Sequence, residues 1–138
     1  MKISTTAAAA ATANVDLLAV AVTKPVTLKG AAAELDRALG GSIARLVKAG
    51  EIRGGAGQVT LLHTESGDLR SRRVAVIGLG SAAKADAETV RNAAGAAVRT
   101  LASVRGRTLG FVLDGLPLEA AQAARCVVDG VVIGGYRF

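Results

Sequence analysis

The sequence is poor in aromatic residues, cysteine and long apolar runs, and each shortage removes a class of function. Aromatic residues make up 2% of the 138 residues, which leaves few rings for stacking on bases or sugars. The single cysteine, Cys126, excludes a disulfide framework and indicates a reducing compartment. No apolar run approaches the ~18 residues that a membrane-spanning helix needs. We therefore expect a cytoplasmic protein with no membrane partner.

Residue types that carry catalysis are also scarce. The single histidine, His63, is predicted to lie on a surface or edge strand, without the convergent partners that a metal site needs. Cys126 lies in an apolar stretch with no base nearby, which indicates a buried inert thiol rather than a nucleophile. The acidic residues are scattered singly, as in helix caps, turns and solvated faces. The residues of this chain predict no catalytic group, no metal ligand and no cofactor.

What the chain has in quantity is small residues and arginine. Hydrophobic residues make up 51% of the sequence, glycine occurs at 17 positions, and the net charge is +6. A chain of this length forms one domain that buries roughly two thirds of its unfolded surface. Residues 1–14 are a low-complexity, alanine- and threonine-rich lead-in, for which a signal peptide is the less favoured interpretation. Residues 15–138 are predicted to be one domain.

The centre of the predicted fold is the stretch 72–80, an apolar strand that is entered by two arginines and left through Gly78 and Gly80. A helical pattern capped by Asp86 follows and runs to about residue 104, and a second apolar strand covers 108–113. Strand, helix and strand at this spacing make a right-handed βαβ unit, whose two strands we predict to be parallel neighbours.

Further elements complete a mixed sheet. Residues 15–22 form a strand that Pro25 ends, and two short helices follow around 32–39 and 42–50, the second capped by Ser42. Residues 58–64 form a strand that a turn at 65–68 joins to the central one, so those two strands are antiparallel. The fold class is α/β, with three α/β/α layers around a mixed, mostly parallel sheet.

The last segment gives conflicting signals. Pro117 is placed to begin a helix that runs to residue 124. Residues 126–133 favour a strand by their β-branched content, and Gly130 is a poor helix former. Composition alone predicts a final strand there.

A glycine turn and an arginine cluster are the candidate sites. Residues 78–83 fit Gly-x-Gly-x-x-Ala after a strand, the form of a dinucleotide fingerprint. The first helix cap, Asp86, comes several residues too late for the helix amides to meet a pyrophosphate, so a structural turn is the favoured interpretation.

Five arginines precede the two predicted parallel strands and should gather at the amino-terminal end of the sheet: Arg70, Arg72, Arg73, Arg105 and Arg107. Such a cluster suits a polyanion or an acidic protein surface, and the alternative is an ordinary solvated basic edge.

Three motifs together resemble the N-terminal domain of the leucyl (cytosol) aminopeptidase family. They are Val-x-Val-x-Gly-Leu-Gly at 74–80, Arg-x-Ala-Ala-Gly at 91–95 and Gly-Tyr-Arg-Phe at 135–138. The resemblance covers nearly the whole chain from Val15. It implies a fold similar to macro domains and a single final helix from Pro117 to about Gly135, in place of the strand at 127–133.

The resemblance also implies an activity that this chain does not carry. In the family, two divalent metal ions, zinc or manganese, and the catalytic residues belong to a C-terminal domain that is absent here. We therefore expect a non-catalytic domain that packs on its own catalytic domain and supports a homo-oligomer, most simply a hexamer. The alternative is a DNA-binding module that uses the arginine cluster, since some bacterial relatives bind DNA. By fold analogy alone, a nucleotide-type ligand would meet the following residues: Gly78, Gly80, Ser81, Asp114 and Gly115.

Overall fold

The structure of the chain, a computed structural model, describes residues 9–64 and 68–135. Within these ranges it contains four strands, four α-helices and one short 3₁₀ turn. In chain order these are the 3₁₀ turn Ala10–Thr12, β1 Leu17–Lys24, α1 Ala31–Ala38, α2 Ser42–Lys48, β2 Val59–His63, β3 Arg73–Ser81, α3 Ala87–Ser103, β4 Leu109–Phe111 and α4 Ala120–Gly134. None of these helices has the length and apolar character needed to cross a membrane. Parts of the lead-in, the predicted turn and the C-terminal motif lie outside the described residues.

The four strands form one sheet in the order β2-β3-β1-β4. Strand β1 pairs in parallel with β3 and β4, and β2 pairs antiparallel with β3. The mixed, mostly parallel sheet is therefore confirmed. The prediction that β3 and β4 are neighbours is wrong, because β1 lies between them. The crossover through α3 thus skips one strand, a choice that strand spacing along the chain does not reveal.

Helices cover both faces of the sheet and give the predicted three layers. Side chains alternate along β1, so Leu17 and Ala19 contribute to one core while Leu18 and Val20 contribute to the other. The first core lies under α3 and α4, and the second lies under α1, α2 and the 3₁₀ turn. Residues 73–81 of β3 are buried through most of their length, as expected for a strand covered on both faces.

Two helix starts differ from the sequence prediction. Ser42 does not cap α2; instead the Asp36 carboxylate accepts a hydrogen bond from the Ala44 backbone N–H at 3.0 Å. Pro117 does not begin α4, which starts at Ala120 behind the N-cap Glu119. The Glu119 side chain accepts from the Ala121 N–H at 2.9 Å. In both cases a carboxylate accepts from a backbone N–H in the first turn, which has no partner within its own helix.

The segment 127–133 is helical, as the family resemblance implied and against its composition. Helical spacing predicts an apolar stripe on α4 made of Ala120, Ala124, Val127, Val128, Val131 and Val132. Only part of this stripe is buried: Val127 lies in the core and Val131 packs against it, whereas Ala120 is exposed. Ala123, Cys126, Val127 and Gly130 are buried, whereas Val132 is 54% exposed. A Cβ on Gly130 would overlap the Arg91 carbonyl oxygen and lie 2.7 Å from the Ala94 Cβ, and one on Gly134 would lie 2.7 Å from the Gly95 Cα. Helix α4 thus turns its glycines toward α3, because only glycine allows the two backbones to approach so closely.

The end of the low-complexity segment is packed. Ala10, Ala11 and Ala13 lie against the second core. The buried Ser71 hydroxyl donates to the Ala13 carbonyl at 2.7 Å, which joins this segment to the entry of β3.

Candidate functional site

The glycine turn at the end of β3 holds a neighbouring loop. Gly80 N–H donates to the Gly54 carbonyl at 2.8 Å, and Gly78 N–H donates to the Gln58 carbonyl at 2.8 Å. A Cβ on Gly78 would overlap the Gly55 carbonyl oxygen. These glycines therefore let the loop 53–57 cross the end of the strand, and their amides are already bonded within the protein.

Helix α3 starts away from this turn. A capping box closes its first turn: the Asp86 carboxylate accepts from the Thr89 N–H at 3.0 Å, and the Thr89 hydroxyl accepts from the Asp86 N–H at 3.3 Å. The backbone hydrogen bond from Thr89 lowers the pKa of Asp86 below its ordinary value, and the Thr89 hydroxyl adds to the effect. The carboxylate thus occupies a position near the amides that a pyrophosphate would need.

The other residues predicted to meet a nucleotide-type ligand lie on opposite sides of β1: Ser81 at the end of β3, and Asp114 and Gly115 after β4. Asp114 and Gly115 follow β4, and the Asp114 carboxylate accepts from the Ala31 N–H at 2.9 Å at the start of α1. Ser81 pairs with Lys24 of β1 and is exposed. Strand β1 therefore separates the segment 78–81 from Asp114 and Gly115. Ligand binding by these residues stays a prediction.

The five arginines occur at the predicted end of the sheet, in two groups. Arg70, Arg72 and Arg73 enter β3, and Arg105 and Arg107 enter β4, with β1 between them. Four are exposed, and Arg73 is half-buried with a buried Nε that has no hydrogen-bond partner within the described residues.

An acidic residue lies between the two groups of arginines. The Asp16 carboxylate, just before β1, accepts from the backbone N–H groups of Arg107 at 2.6 Å and Thr108 at 3.1 Å. These two bonds, and then the nearby charge of Arg72, lower the pKa of Asp16. This end of the sheet therefore carries two groups of arginines with the hydrogen-bonded Asp16 carboxylate between them. Polyanion binding by the arginines stays a prediction.

A third surface, which sequence reasoning missed, lies along α3 and α4. An open groove of about 410 Å³ runs beside Arg91, Arg125, Cys126 and Asp129. A second, of about 280 Å³, lies between the helices near their closest approach. Among residues 9–64 and 68–135, the large hydrophobic side chains that are exposed are Val132 and Ile133 of α4. The signal in the sequence was the four-residue spacing of Gly130 and Gly134, which places both glycines on one face of the helix. Small residues at this spacing allow a second helix to pack closely against that face, so Val132 and Ile133 are left facing outward.

Arg91 and Cys126 meet in the first groove. The Arg91 guanidinium forms an ion pair with Glu88 at 2.9 Å and lies 3.7 Å from the Cys126 Sγ. The hydrogen bonds that the guanidinium donates to the Glu88 carboxylate raise the pKa of Arg91. Cys126 is buried, as predicted, and His63 is exposed on the edge strand β2. No group of three or more histidine, cysteine, aspartate or glutamate side chains lies close enough to hold a metal ion in the part of the chain that the structure describes.

Comparison with known proteins identifies relatives along most of the chain. The chain matches the model of the cytosol aminopeptidase family, N-terminal domain, over residues 19–138. It is 37% identical over 105 residues to a probable cytosol aminopeptidase of Geobacter sp. (strain M21), covering 76% of this chain and 21% of that protein. It is 36% identical over 138 residues to that of Ralstonia pickettii (strain 12J), covering 95% of this chain and 26% of the other. The chain thus spans about a quarter of the length of these relatives.

Solved structures agree in fold. The bottromycin maturation enzyme BotP in complex with Mn is similar with a TM-score of 0.63 and 31% identity, over 90% of this chain and 24% of that one. A mutant of tomato leucine aminopeptidase gives a TM-score of 0.72 at 24% identity, over 91% and 26% of the two chains. The macrodomain of Mycobacterium tuberculosis DarG gives 0.70 at 14% identity, over 90% and 86%. The last two likenesses concern the fold alone, which is macrodomain-like. With its sequence match over residues 19–138, the chain belongs to the cytosol aminopeptidase family and corresponds to the N-terminal domain of that family.

Proposed function

We propose that this chain is the non-catalytic N-terminal domain of a cytosolic, two-metal leucyl aminopeptidase. In this role it packs on a catalytic domain and supports assembly of the oligomer, which we expect to be a hexamer. The observation that carries the proposal is the family match over residues 19–138, in relatives of which this chain spans only about a quarter. Those relatives are probable cytosol aminopeptidases, which supports peptide hydrolysis as the activity of the whole protein.

The metal ions belong, in this proposal, to the catalytic domain. BotP, of which this chain spans 24%, has been solved with Mn, which supports divalent metal in the whole protein. Two divalent ions, zinc or manganese, would polarise the scissile carbonyl and activate a water molecule. The contribution of this domain would be structural. Its sheet, covered by helices on both faces, would hold in fixed positions the surfaces that contact the catalytic domain and the other subunits.

A chimera tests the proposal. The first quarter of the Ralstonia pickettii relative, which this chain matches over 138 residues, is replaced by this chain. Hydrolysis of leucine p-nitroanilide with added Mn²⁺ and the sedimentation of the product are then measured. The matched control is the same relative with its N-terminal quarter deleted. We expect the chimera to hydrolyse the substrate and to sediment like the intact relative. A chimera that assembles no better than the deleted control would contradict the proposed role.

A further inference from the structure

Strand β2 forms one edge of the sheet, and its outer backbone groups are unpaired. It pairs antiparallel with β3 on one side and with no described strand on the other. The Gly78 N–H donates to the Gln58 carbonyl at 2.8 Å, which fixes the phase of the ladder. Because the bonds of an antiparallel pair alternate along the strand, Val59, Leu61 and His63 turn both their N–H and their C=O away from β3. Within the described residues, none of these groups bonds to another element.

This edge lacks the features that normally keep sheet edges apart. The sequence of β2 is Val-Thr-Leu-Leu-His, without proline, lysine or an acidic residue. Its register with β3 is continuous from Val59 to His63, so no β-bulge twists the edge away. Val59, Leu61 and Leu62 are only half-buried. An apolar edge strand with free backbone groups is a template for pairing with another strand.

We infer that two copies of this chain pair antiparallel through β2, about a two-fold axis at Leu61, to form one continuous sheet. In this register Leu61 lies opposite Leu61 of the second copy, and Val59 lies opposite His63. Each outward N–H then meets an outward C=O of the other copy, and none of them stays unpaired. A shift by two residues would place His63 opposite Gly57, whose N–H already donates to the Gly78 carbonyl. The opposite shift would leave Val59 beyond the end of the second copy's β2.

The side chains also match in this register. Leu61 would contact its counterpart across the axis, on the face of the first core, and apolar pairs directly opposite each other stabilise antiparallel strands. His63, the one titratable residue of β2, would meet Val59 rather than a like charge. A two-fold contact uses the edge of both copies completely, so assembly through β2 stops at a pair instead of continuing as a filament. In the full-length protein this pair would supply one contact between subunits of the homo-oligomer, a consequence that rests on the proposed function.

A matched pair of variants at His63 tests the contact by sedimentation equilibrium. Proline removes the outward N–H of residue 63 and leaves the ladder to β3 intact, and it is tolerated at such positions of edge strands. Alanine removes the same exposed side chain and keeps the N–H. We expect the unsubstituted chain and His63→Ala to form equally stable dimers, and the dimer of His63→Pro to have a dissociation constant roughly tenfold higher, because each copy loses a donor to the other. A chain that is monomeric at every concentration, or equal dissociation constants of the two variants, would overturn the inference.

Amide hydrogen exchange followed by NMR identifies the groups that meet and needs no substitution. In the monomer the N–H groups of Val59, Leu61 and His63 should exchange fast, whereas those of Thr60 and Leu62, which face β3, should exchange slowly. We expect exchange at the first three positions to slow roughly tenfold or more as the chain concentration rises, with a smaller change at the other two. A dimer in which these three amides still exchange fast uses another surface and contradicts the inference. Protection that appears only after addition of the relative's N-terminally deleted enzyme would assign the edge to the catalytic domain and contradict it as well.

The chimera with the Ralstonia pickettii relative separates this inference from the proposed function. We expect the chimera with His63→Pro to sediment as smaller assemblies, and the chimera with His63→Ala to sediment like the intact relative. If the His63→Pro chimera hydrolyses its substrate and sediments like the intact relative, the proposed function holds and the subunit contact through β2 is wrong. If the unsubstituted chimera neither assembles nor hydrolyses its substrate while the isolated chain dimerises through β2, the pairing of two copies holds and the proposed function is wrong.

Discussion

Replacing Gly130 with alanine should destabilise the domain, although alanine is the better helix former. The new Cβ would overlap the Arg91 carbonyl oxygen and lie 2.7 Å from the Ala94 Cβ. Carbon atoms pack best at about 3.5–4.0 Å, so α3 and α4 would have to separate by roughly 1 Å. A gap of that size forfeits a quarter to a half of the contact energy along the interface.

The magnitude follows from two opposing contributions. Alanine gains about 1 kcal/mol over glycine in helix propensity. Overpacking of a core costs about 1–3 kcal/mol, and the cost lies at the upper end here because the atom met is a backbone carbonyl rather than the end of a flexible side chain. We therefore expect Gly130→Ala to lower the free energy of unfolding by about 2 kcal/mol.

Gly95→Ala is the matched control on the facing helix. A Cβ at Gly95 would lie 3.2 Å from an Arg99 guanidinium nitrogen, which can move, and 3.7 Å from the Gly130 carbonyl oxygen. We expect this variant to be neutral or up to about 1 kcal/mol more stable. Urea denaturation followed by circular dichroism at 222 nm gives both values, provided that the slope with denaturant stays unchanged. Gly130→Ala as stable as the unsubstituted chain would refute the close approach of the two helices.

Three further predictions concern charge and activity. Asp16 has a folded pKa below its unfolded value of ~3.9, so its bonds stabilise the fold above about pH 4 and are lost as the pH falls through the folded value. Asp16→Asn should therefore flatten the loss of stability between about pH 5 and 2 in urea titrations, and an unchanged profile would argue against those bonds. The isolated chain should release no leucine from aminoacyl substrates with added Mn²⁺ or Zn²⁺, and metal-dependent release above a buffer blank would contradict the proposed location of the metal ions. DNA retardation by the isolated chain should be weak and should fall with salt with a log–log slope of about −0.9 per phosphate contact. Charge reversal of Arg73 and Arg105 together should weaken any such binding equally for every DNA sequence. Sequence-specific DNA retardation at physiological salt would contradict the prediction of weak binding through phosphate contacts.

Much of the local structure could be read from residue patterns. The apolar run of β3 predicted a strand covered on both faces, and Asp86 predicted the start of α3. The late position of that cap also argued against a dinucleotide site, and the capping box with Thr89 agrees with that reasoning. These features depend on neighbours a few residues apart, which is the range over which sequence patterns carry information.

The order of the strands in the sheet depends on contacts between residues that are far apart in the sequence, so local patterns do not predict it. The order β2-β3-β1-β4 depends on which apolar strand edges meet, and β1 lies between β3 and β4 although it comes first in the chain. This choice divides the five arginines into two groups and places Asp16 between them. The sequence predicted that the arginines share one end of the sheet, but not that a carboxylate separates them.

By itself, the sequence determined the fold class, the helix that begins behind Asp86 and the family, because these follow from local periodicity, capping and motifs. Tertiary structure alone decided the orientation of α4, whose helical conformation the family resemblance implied against its composition. Four valines and Gly130 made a strand plausible, and apolarity pointed to Val132 as a buried residue. Backbone contact with α3 instead turned Gly130 and Gly134 inward and left Val132 and Ile133 exposed. A glycine has no side chain whose apolar character marks a buried face, so its role becomes evident only when another helix lies against it.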